Sequence, residues 1–152
     1  MKKLLIPLVV TIALLTGGLA QASFMGVGCQ KLEGTLVKVS PEAAVSSRIS
    51  LDVKFLIKKF GVRVNEGFTR PKIKCGGKTY PAQGNFAGHS SDSYHHKGLA
   101  IDIVAGKRGW NGVDRLIQYV RSVNKKTGKY KDILYNGVPN HGRGSHAHIS
   151  YK

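Results

Sequence analysis

Acidic residues and cysteines are scarce in this chain of 152 residues. Only 8 Asp and Glu stand against 24 Lys and Arg, which gives a formal net charge of +16 at pH 7. Such a charge favours anionic partners, namely nucleic acid, acidic lipid or a polyanionic cell wall, and says nothing about the fold. The sequence also lacks internal repeats and low-complexity segments, and its length suits one domain with a hydrophobic core.

A long hydrophobic run is missing as well. The apolar stretch near the N-terminus covers residues 4–15, which is short for a membrane span. Two lysines precede it and Ala-Gln-Ala follows at 20–22, so the order predicts a secretory signal peptide at 1–22 and a folded domain at 23–152. A membrane anchor is the alternative. For a protein exported to the periplasm or cell wall, the positive charge favours an anionic envelope surface over nucleic acid.

The two cysteines, Cys29 and Cys75, are too few for a zinc site made of thiolates alone. In an oxidising compartment an even pair predicts one disulfide bond between them. Two unrelated buried thiols are the alternative.

The spacing of apolar residues predicts two helices. The first is expected to begin at Ser40-Pro41-Glu42, after a strand at 34–39, because serine is a good N-cap and proline suits the first helical position. Its apolar positions between residues 49 and 60 have helical spacing, and Gly61 is expected to end it. The second helix carries apolar residues between 113 and 123.

Short strands and loops account for the rest of the chain. Strands are predicted at 62–64, 99–104, 132–135 and 146–151, with a long loop at 72–92 and a turn-rich loop at 137–144. The order of elements predicts an α+β domain, in which helices pack against a small, largely antiparallel sheet.

The candidate functional site is built around an aspartate inside an apolar strand. In the strand at 99–104, Asp102 lies on the face opposite the two isoleucines, because side chains alternate along a strand. A carboxylate there needs a partner, since burying an unpaired charge is costly. If the last strand pairs with this one, the face that carries His146 and His148 meets Asp102, and His95 lies on the loop before it. Two imidazoles and one carboxylate form an open site that suits catalytic zinc.

The same residues also have simpler explanations. His95 could be a solvated loop residue, and His146 and His148 could be ordinary strand histidines. Asp102 could form an ion pair with one of the many lysines instead of binding a metal.

Two motifs point to a known family. The chain contains Ser93-x-His95-x-x-Gly98-x-Ala100-x-Asp102 and ends with His146-x-His148. This pattern resembles that of the zinc D-alanyl-D-alanine peptidases, which belong with the murein endopeptidases and the hedgehog signalling domain. The stretch 64–71, Val-Asn-Glu-Gly-Phe-Thr-Arg-Pro, is similar to the family's strand that ends in an active-site arginine. The resemblance covers roughly residues 62–151 and implies a hedgehog/DD-peptidase-like fold.

By position, the resemblance implies that His95, Asp102 and His148 bind zinc. It implies that Arg70 holds a substrate carboxylate, or the carbonyl oxygen near the metal, for which its fixed fork of donors is suited. Ser93 is expected beside the site, where it binds substrate or orients a zinc ligand.

The chain departs from the family at one position. Many relatives carry a carboxylate three residues before the last zinc histidine, where it acts as the general base. Here that residue is Ser145, and a serine is a poor proton acceptor at neutral pH. His146 is therefore the predicted general base, with His141 as a second candidate.

These observations predict a zinc-dependent peptidase that cleaves peptide bonds in peptidoglycan stem peptides or cross-links. A D-Ala-D-Ala carboxypeptidase and an endopeptidase fit the residues equally well. The alternative is an inactive cationic module that binds the envelope or nucleic acid and keeps a vestigial zinc site.

Overall fold

The computed structural model of the chain describes residues 32–85 and 89–152. In chain order its elements are β1 (Leu36–Lys38), β2 (Ala44–Ser46), α1 (Ser47–Phe60), β3 (Arg63–Glu66), β4 (Ile73–Cys75), β5 (Lys78–Tyr80), β6 (Ala100–Val104), α2 (Gly109–Thr127), β7 (Tyr130–Leu134) and β8 (Ala147–Tyr151). A short 3-10 helix at Tyr94–Lys97 precedes β6. The predicted α+β class with antiparallel sheets is confirmed.

The central sheet has four antiparallel strands in the order β3-β6-β8-β7, and its core side packs against both helices. Ile101 and Ile103 of β6 and Ile149 of β8 are fully buried in this core. Val53 of α1 and Leu116 of α2 belong to the same cluster. Burial of each such side chain contributes about 1.5–3 kcal/mol, so this layer provides the main stabilisation of the domain.

The polar residues between these isoleucines lie on the other face of the sheet. Asp102 is paired with His148 across β6 and β8, and Ala100 is paired with Ser150. Residues directly opposite each other in an antiparallel pair share a face. The last strand does pair with β6, the condition on which the sequence analysis depended, and this pairing places Asp102 and His148 together on the side away from the core.

The predicted start of the first helix was wrong. Ser40-Pro41-Glu42 lies in the turn between β1 and β2, and α1 begins at Ser47 after the N-cap Ser46, whose side chain accepts from the backbone N–H of Arg48. The Ser40 hydroxyl instead accepts from the N–H of Ala43 at 3.0 Å, which stabilises the hairpin turn. Serine and proline favour turns as well as helix starts, so local pattern alone did not separate the two. The predicted helix end at Gly61 is confirmed.

The stretch 72–92 is not one long loop. Residues Ile73–Cys75 and Lys78–Tyr80 pair as the hairpin β4–β5. Gly76 and Gly77 connect the strands with φ of 55° and 75°, and two successive positive φ angles are typical of the type I′ turn that favours glycine. The two glycines were therefore a hairpin signal, although the short flanking strands show little alternation.

Two predictions lie partly or wholly outside the described residues: the signal peptide at 1–22 and the Cys29 partner of the disulfide. Within residues 32–85 and 89–152, neither helix combines the length and hydrophobicity that a membrane crossing requires.

The disulfide stays a prediction with a direct test. We expect the protein, recovered from an oxidising compartment and denatured without reductant, to contain no free thiol, because Cys29 and Cys75 are the only cysteines. Reduction should lower the free energy of unfolding by about 2–4 kcal/mol, since the bond restricts the unfolded chain. Thiol titration with and without reductant, followed by denaturant unfolding, measures both effects. Two free thiols in the unreduced protein would contradict the pairing.

Candidate metal centre

Three side chains converge on the open face of the sheet. His148 Nδ1 lies 2.8 Å from Asp102 Oδ1, because their strands pair in register at these two residues. His95 Nε2 lies 3.3 Å from His148 Nδ1 and 3.4 Å from Asp102 Oδ1. The structure thus brings together the three residues that the sequence motif implied as zinc ligands.

The 3-10 helix sets the position of His95. Ser93 caps this helix, and its hydroxyl accepts from the backbone N–H of His95 at 3.3 Å. Gly98 ends the helix with φ of 73°, and a Cβ there would lie 3.0 Å from the backbone nitrogen of Ser46. Glycine is therefore required where the chain turns from the helix into β6. Ser93 thus lies beside the site and orients His95 through the backbone, and its predicted contact with substrate stays a prediction.

The ring orientation of His95 is fixed by its second nitrogen. Nδ1 donates to the carbonyl oxygen of Gly67 at 2.6 Å, which leaves the lone pair of Nε2 directed at Asp102 and His148. The side chain is completely buried. A lone pair that faces a buried carboxylate oxygen at 3.4 Å is repulsive unless a proton or a metal ion lies between the two atoms. A backbone acceptor for the second nitrogen is also the usual arrangement for metal-binding histidines.

The spacing of the three donors suits zinc. Ligands about 2.0–2.1 Å from a tetrahedral zinc lie about 3.3–3.4 Å from one another, which matches both distances from His95 Nε2. The His148–Asp102 distance is shorter and is that of a hydrogen bond. Binding of a cation would displace the shared proton and separate these two atoms. The structure supports a metal site of this donor set, and the identity of the metal is part of the proposal below.

Asp102 is ionised in this setting. Burial alone would raise its pKa, but hydrogen bonds and charge from His148 and His95 outweigh that effect and hold the pKa of Asp102 well below its usual range. A buried carboxylate that stays charged provides a strong ligand for a cation and supplies the negative charge of this donor group.

A carboxylate that the sequence analysis missed lies next to this group. Glu66 of β3 is paired with Asp102, and its side chain contacts His89 Nε2. The His89 ring lies 4.5 Å, centroid to centroid, from that of His95, and Glu66, His89 and His95 also form a group that could hold a cation. One His95 nitrogen is bonded to Gly67, so His95 cannot serve two ions at once. Glu66 and His89 are better described as neighbours of a single metal centre.

The Glu66–His89 pair is charged or shares a proton. The hydrogen bond to Glu66 raises the pKa of His89 above its ordinary value, and burial only partly opposes this effect. The pair therefore brings a second carboxylate and a proton to the same cleft, whose volume is about 710 Å³.

His146 immediately precedes β8 and lies on the rim of the cleft opposite β3, the strand that carries Glu66. Its Nε2 is 3.9 Å from Asp102 Oδ2, and its Nδ1 is 3.1 Å from the hydroxyl of Ser145. Ser145 donates its own proton to the carbonyl of Asn140 at 2.7 Å, so it accepts from His146 Nδ1 and leaves Nε2 with a free lone pair. Burial lowers the pKa of His146, which favours this neutral form. The His141 ring lies 4.6 Å from that of His146 and also lines the cleft.

Arg70 is not among the described residues that line the cleft. The side chain is 3% exposed, its Nε donates to the carbonyl of Pro81 at 3.0 Å, and its guanidinium lies 5.5 Å from the centre of the Tyr80 ring. Within the described part of the chain its buried Nη1 has no hydrogen-bond partner. The predicted contact with a substrate carboxylate therefore stays a prediction, although one donor is available for it.

His96, next to His95 in sequence, has a structural role. It is buried, and its Nδ1 donates to the carbonyl of Thr69 at 2.8 Å. The adjacent histidines thus tie the 3-10 helix to the chain that follows β3, His95 through Gly67 and His96 through Thr69.

Comparisons of the chain with protein-family models, curated proteins and solved structures found no match.

Proposed function

We propose that the protein is a zinc-dependent peptidase that hydrolyses peptide bonds in peptidoglycan stem peptides or cross-links. The carrying observation is the convergence of His95 Nε2, Asp102 Oδ1 and His148 Nδ1, with Asp102 and His148 lining an open cleft and His95 buried directly behind them. Three protein ligands beside open space are the arrangement of catalytic zinc sites, whereas structural sites have four protein ligands. The motif resemblance supplies the substrate class, and the positive charge suits an anionic envelope.

The residues around the proposed metal site activate the attacking water and accept its proton. When bound, zinc would lower the pKa of a water molecule and polarise the scissile carbonyl. His146 Nε2 carries a free lone pair at the rim and accepts a proton from the attacking water. Glu66 lies on the other side of Asp102 and offers a second proton acceptor, which His89 orients. The histidine and the carboxylate together fill the role that a carboxylate at position 145 has in relatives.

Arg70 and Ser93 are proposed to bind the substrate. The Nη1 of Arg70 is unpartnered but buried, so it can donate to a substrate carboxylate only after the groups that cover it move on binding. Ser93 lines the cleft next to His95, and its hydroxyl hydrogen can point toward substrate while its oxygen accepts from the backbone.

The test is digestion of purified peptidoglycan, followed by mass spectrometry of the muropeptides. We expect peptide release that stops on addition of a chelator and returns with zinc, because the cleft residues need the cation to activate water. The masses of the fragments identify the bond that is cut. Release that continues unchanged in excess chelator would contradict a metal-dependent reaction.

A cationic binding module with a vestigial metal site is the second candidate. The observation that favours it is Ser145, whose hydroxyl is committed to Asn140, so that no carboxylate occupies the position used by relatives. Such a module would bind envelope polyanions or nucleic acid with a steep salt dependence and no turnover of muropeptides.

A further inference from the structure

The outer surface of α1 is both apolar and basic. Leu51 is 81% exposed and Phe55 is 44% exposed, and they are the large hydrophobic residues of the described chain that stand open to solvent. They are four residues apart and so lie on the same side of the helix. We call the exposed residues of this side the helix face: Arg48, Leu51, Lys54, Phe55, Lys58 and Lys59.

The charge of the helix face has one sign. Its four charged residues are all basic; Arg48 is paired with Glu33, so Lys54, Lys58 and Lys59 supply the uncompensated charge. The acid of α1, Asp52, is only partly exposed and is bonded to Lys129 at 2.7 Å. Asp52 also accepts hydrogen bonds from the hydroxyls of Tyr130 and Tyr151, so its charge is already compensated. The neighbouring helix α2 adds the exposed basic residues Arg115 and Lys126, which lie four and seven positions from Tyr119 and so on the side of α2 that meets Phe55.

The apolar residues of the helix face continue onto α2. The Phe55 ring lies 6.1 Å from that of Tyr119, and Lys59 Nζ lies 4.3 Å from the centre of the Tyr119 ring. Lys59 Nζ also lies 5.1 Å from the centre of the Phe55 ring, so cation–π contacts join the basic and aromatic side chains in one continuous surface.

We propose that the helix face docks on the surface of an anionic lipid bilayer. Lysine and arginine side chains bind the headgroup phosphates, and Leu51 and Phe55 enter the boundary between headgroups and acyl chains. Nucleic acid would satisfy the basic residues but would leave Leu51 in water. The proposal does not depend on the metal site.

The docked orientation follows from the two faces of the sheet. The helices cover the face of Ile101 and Ile103, and the cleft lies on the face of Asp102 and His148. A protein bound through α1 therefore keeps the cleft directed away from the bilayer and open to polymer beyond it.

The experiment measures binding of the purified protein to vesicles by flotation at low salt. One vesicle contains phosphatidylcholine alone, and the other contains equal parts of phosphatidylcholine and phosphatidylglycerol. We expect binding to the anionic vesicle only. Leu51→Ser with Phe55→Ser should weaken it about tenfold, since the two side chains no longer enter the interface. Lys54→Gln with Lys58→Gln should weaken it by at least about fivefold.

The matched control is Lys74→Gln with Lys78→Gln, which removes the same charge from exposed positions on the β4–β5 hairpin. It should retain most of the binding. Both lysine variants should keep the melting temperature of the parent because the replaced side chains are exposed, and circular dichroism should show that the Leu51/Phe55 variant, which loses the contact of Phe55 with Tyr119, is still folded at the assay temperature. Equal loss in the control and the Lys54/Lys58 variant would overturn the proposal, since net charge alone would explain binding. Unchanged binding by the Leu51/Phe55 variant, or binding of duplex DNA without binding of anionic vesicles, would also overturn it.

Discussion

Replacing His148 with alanine is expected to abolish zinc binding and the proposed peptidase activity together. His148 supplies one of three converging donors, and its Nδ1 contacts both of the others within 3.3 Å. Two donors do not hold zinc when the protein is diluted in buffer. Removal of an outer-shell partner lowers metal affinity about 10–100-fold, and removal of a ligand should lower the affinity for zinc by more than this. The purified parent should contain about one zinc per chain, as expected for a three-ligand catalytic site.

Elemental analysis of both proteins after incubation with zinc and gel filtration gives the measurement, alongside peptide release from peptidoglycan. Ser150→Ala is the matched control, because Ser150 lies two residues further on the same face of β8 and contacts Asp132 instead of the metal group. It should keep the zinc. A parent protein that binds no divalent metal even after zinc is supplied would end the metal hypothesis, whereas zinc in the parent without turnover would favour the binding module.

The second large effect is expected from His146→Ala, which should keep the zinc and lose about 10²–10⁴-fold in turnover, the usual size of a general acid–base contribution. His146 has an acceptor nitrogen facing the cleft and does not belong to the donor group, so metal content and turnover should separate. Ser145→Ala should cost far less, because Ser145 only orients the ring through Nδ1.

Glu66→Gln provides the comparison that assigns the proton acceptor. Glutamine keeps the size of Glu66 and a contact to His89 but does not accept a proton. Turnover of a defined muropeptide and zinc content are measured for each variant. Full turnover by His146→Ala with a large loss in Glu66→Gln would transfer the role to Glu66. Full turnover by both variants would make His141 the next residue to test.

Strand alternation predicted the orientation of two central residues of the candidate site, Asp102 and His148. Asp102 lies between isoleucines that face the core, and His148 lies between Ala147 and Ile149, so a period of two placed each side chain opposite its core-facing neighbours. The pairing of β6 with β8, which the sequence left conditional, brought the two side chains onto one face. The predictions that depended on a choice between two local structures were less successful. Ser40-Pro41-Glu42 suits a helix start and a turn equally, and only the pairing of β1 with β2 and the packing of α1 decided between them.

The sequence by itself determined that the chain is strongly basic, has an α+β core and carries Asp102 and His148 on the polar sides of their own strands. The pairing of β6 with β8 joins these two residues on one face. The tertiary structure decided which groups join that face. By simple alternation Glu66 would share the side of Val64, which is buried in the core. A register shift between Val64 and Glu66 places Glu66 opposite Asp102 instead. A bulge adds one residue to a strand and so reverses the direction of the side chains after it, and its position depends on pairing with a strand more than thirty residues away.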